Sequence, residues 1–386
     1  MSIKSSKRGQ VPPFVVMDVM KSASDLEQQG KTIMHLEIGQ PSTGIPESIA
    51  EPLKHLIGSE SLGYTVAQGI PELRERIALH YRQAYDVEVP AERIFITTGS
   101  SAGFQLALLA AFDIGDRVAL ASPGYPAYRH IVSSLGLVAE LLPVGPETRY
   151  QPTVNLLETL SDKIDGLIIA SPSNPTGTVI PDQQFEDLLE YCNGRGIRLI
   201  SDEIYHGITY GMDARTAAGS VYPNIVINSF SKYFSMTGWR IGWMVVPEDL
   251  ERTVECLAQN HYISPPTLSQ WAALYVFGAS DELNANISRY AQNRSILLSG
   301  LPKAGITKLA PSDGAFYLYA DVKDLTSDTA QFCRALLEEA GVAVTPGHDF
   351  DPNRGHETLR ISFAGSTQDM HEAVSRIQNW LPTIQR

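Results

Sequence analysis

Short apolar runs alternate with longer segments of helical spacing along roughly the first 280 residues. One helical segment covers residues 71–85, where Pro71 stands at the start and Leu73 and Ile77 fall on one face. The regular alternation of strands with helices predicts an α/β sheet. The predicted strands are residues 93–97, 117–121, 139–142, 166–170, 198–201, 225–228 and 241–246.

The pattern changes after about residue 280, where a long helical stretch over residues 281–300 leads to a strand-like segment at residues 314–321. Helices near residues 330–340 and 367–381 follow, so this second unit is smaller. At 386 residues the chain exceeds the roughly 250–300 residues at which one core stops growing, and two domains are expected. We predict an N-terminal arm with part of the small domain at residues 1–46, a large cofactor-binding domain at residues 47–280 and a small C-terminal domain at residues 281–386.

Charge and cysteine content narrow the class of protein. The 43 acidic and 30 basic residues give a net charge of −13, which disfavours a nucleic-acid partner. Cys192, Cys256 and Cys333 are scattered and lack paired spacing, which predicts a reducing, cytoplasmic location without a disulfide framework. The histidines and cysteines form no ligand motif, so no metal is expected. No apolar run is long enough to cross a bilayer, so no membrane association is predicted.

Lys232 is the most informative candidate for chemistry. It directly follows a predicted buried strand, lies beside Ser231 and is followed in the same segment by Arg240. Loss of hydration at such a position favours the neutral amine, which can attack a carbonyl and form a Schiff base. The alternative is a surface lysine after a strand, with the serines capping the next helix.

Polar groups also follow two other predicted strands. Asp202 and Tyr205 follow the strand at residues 198–201, and Asn174 follows the strand at residues 166–170. Ligands of open α/β sheets bind outside the carboxyl ends of the strands, so one shared crevice is expected. Taken singly, Asp202 could be a helix N-cap and the segment around Asn174 an ordinary turn.

Through these and further motifs the chain resembles the fold-type I pyridoxal-phosphate aminotransferases of class I/II, which include aspartate, alanine and aromatic aminotransferases. The resemblance rests on motifs that run in family order along most of the chain. It implies a large domain with a mostly parallel seven-stranded sheet sandwiched by helices, plus a smaller α+β domain. The motifs are Gly63-Tyr64, Gly69-Ile70-Pro71-Glu72-Leu73-Arg74, Thr98-Gly99-Ser100-Ser101, Ser122-Pro123-Gly124-Tyr125-Pro126, Ser171-Pro172-Ser173-Asn174-Pro175-Thr176-Gly177, Ser201-Asp202-Glu203-Ile204-Tyr205, Ser229-Phe230-Ser231-Lys232, Gly238-Trp239-Arg240-Ile241-Gly242, Gly314-Ala315-Phe316-Tyr317 and Leu359-Arg360-Ile361-Ser362.

The resemblance also implies roles around the cofactor, pyridoxal 5'-phosphate. Lys232 holds it as a Schiff base and moves the proton of the substrate. Asp202 pairs with the pyridine nitrogen and keeps it protonated, which makes the ring an electron sink. Tyr205 and Asn174 hydrogen-bond the phenolic oxygen of the ring, and Tyr125 stacks on its face.

The remaining implied contacts bind the phosphate and the substrate. Ser100 and Ser101, at the start of a helix, bind the phosphate with Ser229 and Arg240, and Tyr64 reaches in from the partner subunit of a homodimer. Arg360 clamps the substrate carboxylate, with Gly39 and Asn174 beside it. The implied reaction transfers the amino group of an L-amino acid to a 2-oxo acid. A neutral donor, aliphatic or aromatic, is preferred, with 2-oxoglutarate or pyruvate as acceptor.

Three alternatives stay open on the sequence. The same scaffold supports a pyridoxal-phosphate β-lyase. Aminotransferase-like ligand sensors occur in transcription regulators, although the acidic charge and the short N-terminal arm disfavour one here. Residues 99–103 fit the G-x-S-x-G nucleophile elbow of α/β-hydrolases, with Ser101 as the nucleophile. A hydrolase gives no reason for the spacing of Lys232 and Arg240.

Overall fold

The computed structural model describes residues 3–59 and 61–384 of the chain, and its helices occur throughout this range. Their boundaries place an amphipathic helix, α1, ahead of the first strand. The α-helices are α1 Val15–Gln28, α2 Ala50–Ser59, α3 Pro71–Tyr85, α4 Ser100–Ala111, α5 Pro126–Ser134, α6 Val154–Glu158, α7 Asp182–Arg195, α8 Glu251–Tyr262, α9 Thr267–Val276, α10 Ser280–Ala304, α11 Thr329–Ala340 and α12 Thr367–Ile384.

The strands form one large sheet and two small ones. The large sheet has seven strands in the order β2-β8-β7-β6-β5-β3-β4, and only β8 runs antiparallel to its neighbours. The strands are β1 Met34–His35, β2 Ile94–Thr97, β3 Arg117–Ser122, β4 Val138–Pro143, β5 Gly166–Ala170, β6 Arg198–Asp202, β7 Ile225–Ser229, β8 Gly242–Val245, β9 Lys308–Leu309, β10 Tyr317–Asp321, β11 Val342–Ala343, β12 Thr345–Pro346 and β13 Thr358–Ser362.

Both faces of the large sheet are buried, which explains the continuous apolar runs of its strands. Successive side chains of a strand point to opposite faces, so Leu199 joins one apolar cluster while Ile200 joins another. The adjacent strand β7 does the same with Val226 and Ile227. Helices cover each face, and the predicted sandwiched, mostly parallel seven-stranded sheet is confirmed.

A further apolar cluster surrounds the four-stranded antiparallel sheet β12-β13-β10-β9. It includes Tyr290 from α10, Phe316 and Trp380. The N-terminal segment belongs with it, because β1 pairs in parallel with β11, with Met34 opposite Val342. We propose that the boundaries at residues 46/47 and 280/281 divide the chain into the domains predicted above.

The direction of the strands brings the loops that follow them to one edge of the large sheet. The parallel strands β3, β5, β6 and β7 all end at this edge, and the antiparallel strand β8 begins there. The loops after these strands therefore converge on one place, as expected for an open α/β sheet. No helix within residues 3–59 and 61–384 has the length and apolar character needed to span a membrane.

Candidate active site

A cavity of about 470 Å³ lies at this edge, between the large sheet, α1 and the segment that follows β12. Most of the residues predicted for the site contribute to its wall. Those residues are Gly39, Ser100, Ser101, Tyr125, Asn174, Asp202, Tyr205, Lys232, Arg240 and Arg360.

Lys232 presents its amine to the cavity. Its Nζ atom donates a hydrogen bond to the backbone oxygen of Gly39 at 2.5 Å and lies 5.7 Å from the centre of the Tyr205 ring. Burial lowers the pKa of Lys232 to about 8, and the positive charges of Arg360 and Arg240 act in the same direction. An amine with this pKa is partly neutral near pH 7 to 8, so Lys232 can act as a nucleophile and as a base.

Asp202 is a buried carboxylate at the end of β6. Its Oδ1 atom accepts a hydrogen bond from the backbone N–H of Ile204 at 3.0 Å, and its Oδ2 atom accepts one from the hydroxyl of Tyr128. Burial raises the pKa of Asp202 to about 6, while the hydrogen bonds from Tyr128 and Ile204 and the charge of Lys232 oppose that rise. The carboxylate is therefore held ready to pair with a cationic ring nitrogen.

Arg360 is buried on β13 and is fixed from several sides. Its Nη1 atom donates to Asn174 Oδ1 at 3.0 Å, and its Nη2 atom donates to the backbone oxygen of Glu37 at 2.6 Å. The guanidinium carbon lies 4.5 Å from the centre of the Tyr317 ring and 4.7 Å from that of Phe350. A guanidinium fixed by these contacts is suited to a forked contact with a carboxylate.

Tyr205 and Tyr317 form a buried pair beside the lysine. Their hydroxyl oxygens lie 2.7 Å apart, and their rings meet edge to face at 5.6 Å. Gly39 lies against this pair so closely that a Cβ atom there would clash with the Tyr317 hydroxyl. The absence of a side chain at Gly39 therefore lets the backbone reach the amine of Lys232.

The start of α4 forms an anion cradle with Arg240. Gly99 has a φ of 76° and precedes Ser100 and Ser101 in the first turn. A Cβ atom on Gly99 would lie 2.5 Å from Nη2 of Arg240, so glycine is what allows the guanidinium to approach the helix start. Free N–H groups of a helix N-terminus and a guanidinium together favour a phosphate.

Two of the predicted residues lie outside the cavity wall. Ser229 is buried behind it, where its Oγ atom accepts the backbone N–H of Ser231 at 3.0 Å. Ser231 itself contributes to the wall. Tyr64 is 82% exposed on the surface of the chain, so a contact with this cavity is not made within one subunit.

The structure adds residues that the sequence analysis did not assign. Tyr128 holds Asp202, Tyr317 holds Tyr205, and Phe14 and Phe350 close the outer wall. Tyr128 follows Tyr125 by one helical turn after Pro126, so its place on the same face of α5 was open to prediction. The pairing with Asp202 was not, because it joins distant parts of the chain.

The residues present fit pyridoxal phosphate. The anion cradle suits its phosphate, the buried Asp202 suits its pyridine nitrogen and the amine of Lys232 suits its aldehyde. Within residues 3–59 and 61–384, no group of three or more histidine, cysteine or acidic side chains is placed to hold a metal ion. The fold and the site together define the class of pyridoxal-phosphate enzymes.

Comparison with known proteins identifies the family. Residues 31–377 match the family model of aminotransferase class I and II. The chain is 49% identical, over 99% of its length and 100% of the relative, to the valine–pyruvate aminotransferase of Mycobacterium tuberculosis. It is 35% identical, over 95% of its length and 96% of the relative, to the (5-formylfuran-3-yl)methyl phosphate transaminase of Methanocaldococcus jannaschii. The chain belongs to the class I and II aminotransferases, as its motifs predicted.

Solved structures agree with this assignment. An aminotransferase from Mycobacterium tuberculosis superposes with a TM-score of 0.97 at 48% identity, covering 99% of this chain and 100% of that one. The aspartate aminotransferase of Thermus thermophilus gives a TM-score of 0.90 at 30% identity, covering 98% and 100%. The chain is thus a pyridoxal-phosphate-dependent aminotransferase, and the predictions of its fold, enzyme class and cofactor are confirmed.

The hydrolase alternative at Ser101 is not supported, because no histidine is among the described residues that line the cavity.

Proposed function

We propose that this aminotransferase takes a neutral L-amino acid, with valine as the first candidate, as its amino donor and pyruvate as its acceptor. The observation that carries the proposal is the use of charge in the cavity. Lys232, Arg240 and Arg360 are the cations among the described residues of its wall. Each has its own role in the proposal: Lys232 moves the substrate proton, Arg240 binds the phosphate and Arg360 binds the α-carboxylate of the substrate. No further cation of that wall is left for a second substrate carboxylate.

The outer part of the cavity supports the same choice. Its wall there is mainly apolar, which favours an aliphatic or aromatic side chain over a charged one. The mycobacterial relative carries the name valine–pyruvate aminotransferase, which agrees with a branched aliphatic donor. The apolar side chains are Phe14, Val16, Met17, Met20, Ile38, Ile131 and Phe350.

Bound pyridoxal phosphate supplies an electron sink for the charge left on the substrate when its Cα proton departs. Lys232 is the residue that removes this proton at Nζ and returns it, because its amine is neutral in part near physiological pH. Asp202 would keep the ring nitrogen protonated, because its negative charge stabilises the cationic ring. Ser100, Ser101 and Arg240 would hold the phosphate, and we assign Ser229 to the same anchor through its bond to Ser231.

Arg360 orients the substrate by its carboxylate, which directs the Cα proton towards Lys232. Asn174 already accepts a hydrogen bond from Arg360 through its Oδ1 atom, so its Nδ2 group is left to donate to the ring oxygen. Tyr205 would donate to the same oxygen, with Tyr317 behind it. Tyr125, between Phe14 and Tyr128, would cover the face of the ring.

A homodimer in the cytoplasm is part of the proposal. Tyr64, Val66 and Ile263 are all at least half exposed in the single chain. They flank the contact between the backbone of Thr65 and the hydroxyl of Ser264, so they form one apolar surface. A partner subunit would cover this surface and bring Tyr64 to the neighbouring phosphate. The free thiols of the three cysteines agree with a reducing compartment.

The proposal is tested with purified protein loaded with pyridoxal phosphate and given L-valine with pyruvate. Formation of alanine and the matching branched 2-oxo acid is expected, with a higher kcat/KM than for L-aspartate. Lys232→Ala is the control for lysine-dependent turnover. Efficient use of L-aspartate, or release of ammonia from a sulfur-containing amino acid without an acceptor, would contradict it. Light scattering reports the mass of the assembly.

A further inference from the structure

Asp349 is a buried carboxylate in the wall of the active-site cavity. The residue is 3% exposed, and its Oδ2 atom is buried without a hydrogen-bond partner. It lies just before Phe350, whose ring contacts Arg360. None of the roles described above uses it.

Arg129 contacts the main chain of Asp349 and leaves the Oδ2 atom without a hydrogen bond. The backbone oxygen of Asp349 accepts a hydrogen bond from Arg129 Nη2 at 2.5 Å, so the guanidinium contacts the main chain. Arg129 is not among the described residues of the cavity wall. Burial raises the pKa of Asp349, and the N–H groups of Val15 and Val16 and the charges of Arg360 and Arg129 act against that rise.

Asp349 lies close to the space that the side chain of a substrate would occupy. It stands beside the start of α1, where Phe14, Val16 and Met17 line the apolar part of the cavity. A substrate whose α-carboxylate lies on Arg360 would extend its side chain into this space. A second carboxylate there would lie near the Asp349 side chain, whose Oδ2 atom is buried.

We propose that Asp349 is a specificity-determining residue that excludes substrates carrying a second carboxylate. Two carboxylates that share a dry site cannot both stay ionised without cost, whereas an apolar side chain meets no such penalty. Asp349 thus makes the cavity selective against acidic amino acids and their 2-oxo acids. This inference rests on the proposed transfer from neutral amino acids.

The test compares Asp349→Asn with the wild-type enzyme, using L-valine and L-glutamate as donors. Repulsion between two charges about 6 Å apart in a protein interior predicts that the variant raises kcat/KM for L-glutamate about 10- to 100-fold, with that for L-valine changing much less. The ratio of the two values is the readout, since a general loss of structure would lower both. Asp351→Asn is the matched control, because Asp351 is an equally buried acid of the same segment outside the cavity wall, and its ratio should not move.

An unchanged ratio in Asp349→Asn overturns the inference while leaving valine transfer by the wild-type enzyme intact. Failure of the wild-type enzyme to use L-valine would instead contradict the proposed function. If the variant does not fold, competitive inhibition of the wild-type enzyme can still contradict the inference. Binding of 3-methylbutanoate at least 10-fold tighter than maleate is expected, on the order given by the same repulsion. Equal or tighter binding of maleate would refute the role of Asp349.

Discussion

Replacing Tyr128 by phenylalanine tests the electrostatic design of the site most directly. The change removes one hydroxyl, which donates to Asp202 Oδ2, and leaves the ring packed against Phe104 and Tyr125. Because that hydrogen bond lowers the pKa of Asp202, its loss should raise the pKa above the present value of about 6. A protonated Asp202 has no negative charge and so no longer stabilises a protonated ring nitrogen.

The magnitude follows from the strength of a hydrogen bond to a charged group. Such a bond contributes about 1.5–3 kcal/mol, which corresponds to about one to two pKa units. Asp202 would then titrate near pH 7 to 8 instead of about 6. At pH 7 the ionised fraction falls from about nine tenths to between about a half and a tenth, so activity should fall about 2- to 10-fold. Above about pH 9 the two enzymes should converge, because the carboxyl is ionised in both.

The assay is kcat/KM for the amino donor between about pH 6 and about pH 9, with cofactor loading checked by visible absorbance. The acidic limb of the Tyr128→Phe profile should lie about one to two pH units higher than that of the wild type. Tyr319→Phe is the control, because Tyr319 is also buried and its hydroxyl lies 2.7 Å from Thr358 Oγ1, away from Asp202. Superimposable profiles for Tyr128→Phe and wild type would refute the reasoning.

Three further predictions concern the amine, the carboxylate clamp and the anion cradle. Lys232→Ala should abolish turnover and the visible absorbance of the lysine-bound cofactor; normal turnover would show that another group acts as the base. Arg360→Lys should lower kcat/KM about 10- to 100-fold, mainly through KM, because a lysine cannot make the forked contact. A change confined to kcat would argue against a carboxylate clamp. Ser101→Ala should weaken cofactor binding about 10-fold, as expected for one lost hydrogen bond to a charged group, and excess cofactor should restore activity. A loss that cofactor does not restore would point to a nucleophilic serine.

The apolar runs predicted the large sheet closely, because strands buried on both faces leave a continuous signal. Strand β5, Gly166–Ala170, lies where its run was predicted, and helix α3 has the predicted bounds Pro71–Tyr85. Helix α1 was not predicted, although residues 15–28 are amphipathic and their apolar face packs on the small unit. Its two initial valines and the preceding prolines gave little helical signal.

The position of a residue in the cavity wall was predictable where its side chain comes at the end of a single strand. Lys232 and Asp202 are of this kind, because the edge of a parallel sheet is defined by chain direction alone. Contacts between separate segments were not predictable, since nothing local relates Tyr128 to Asp202. Asp349 belongs to this second group, because a buried acid is recognised only from what surrounds it.

The parallel pairing of β1 with β11 affects how the polypeptide can mature on the ribosome. Residues 34–35 are synthesised about 15 to 60 seconds before residues 342–343, at about 5–20 residues per second. During that interval the intervening large sheet can form, whereas the N-terminal strand still lacks its mate. The smaller unit is thus completed last, when a strand from near the N-terminus pairs with one from near the C-terminus.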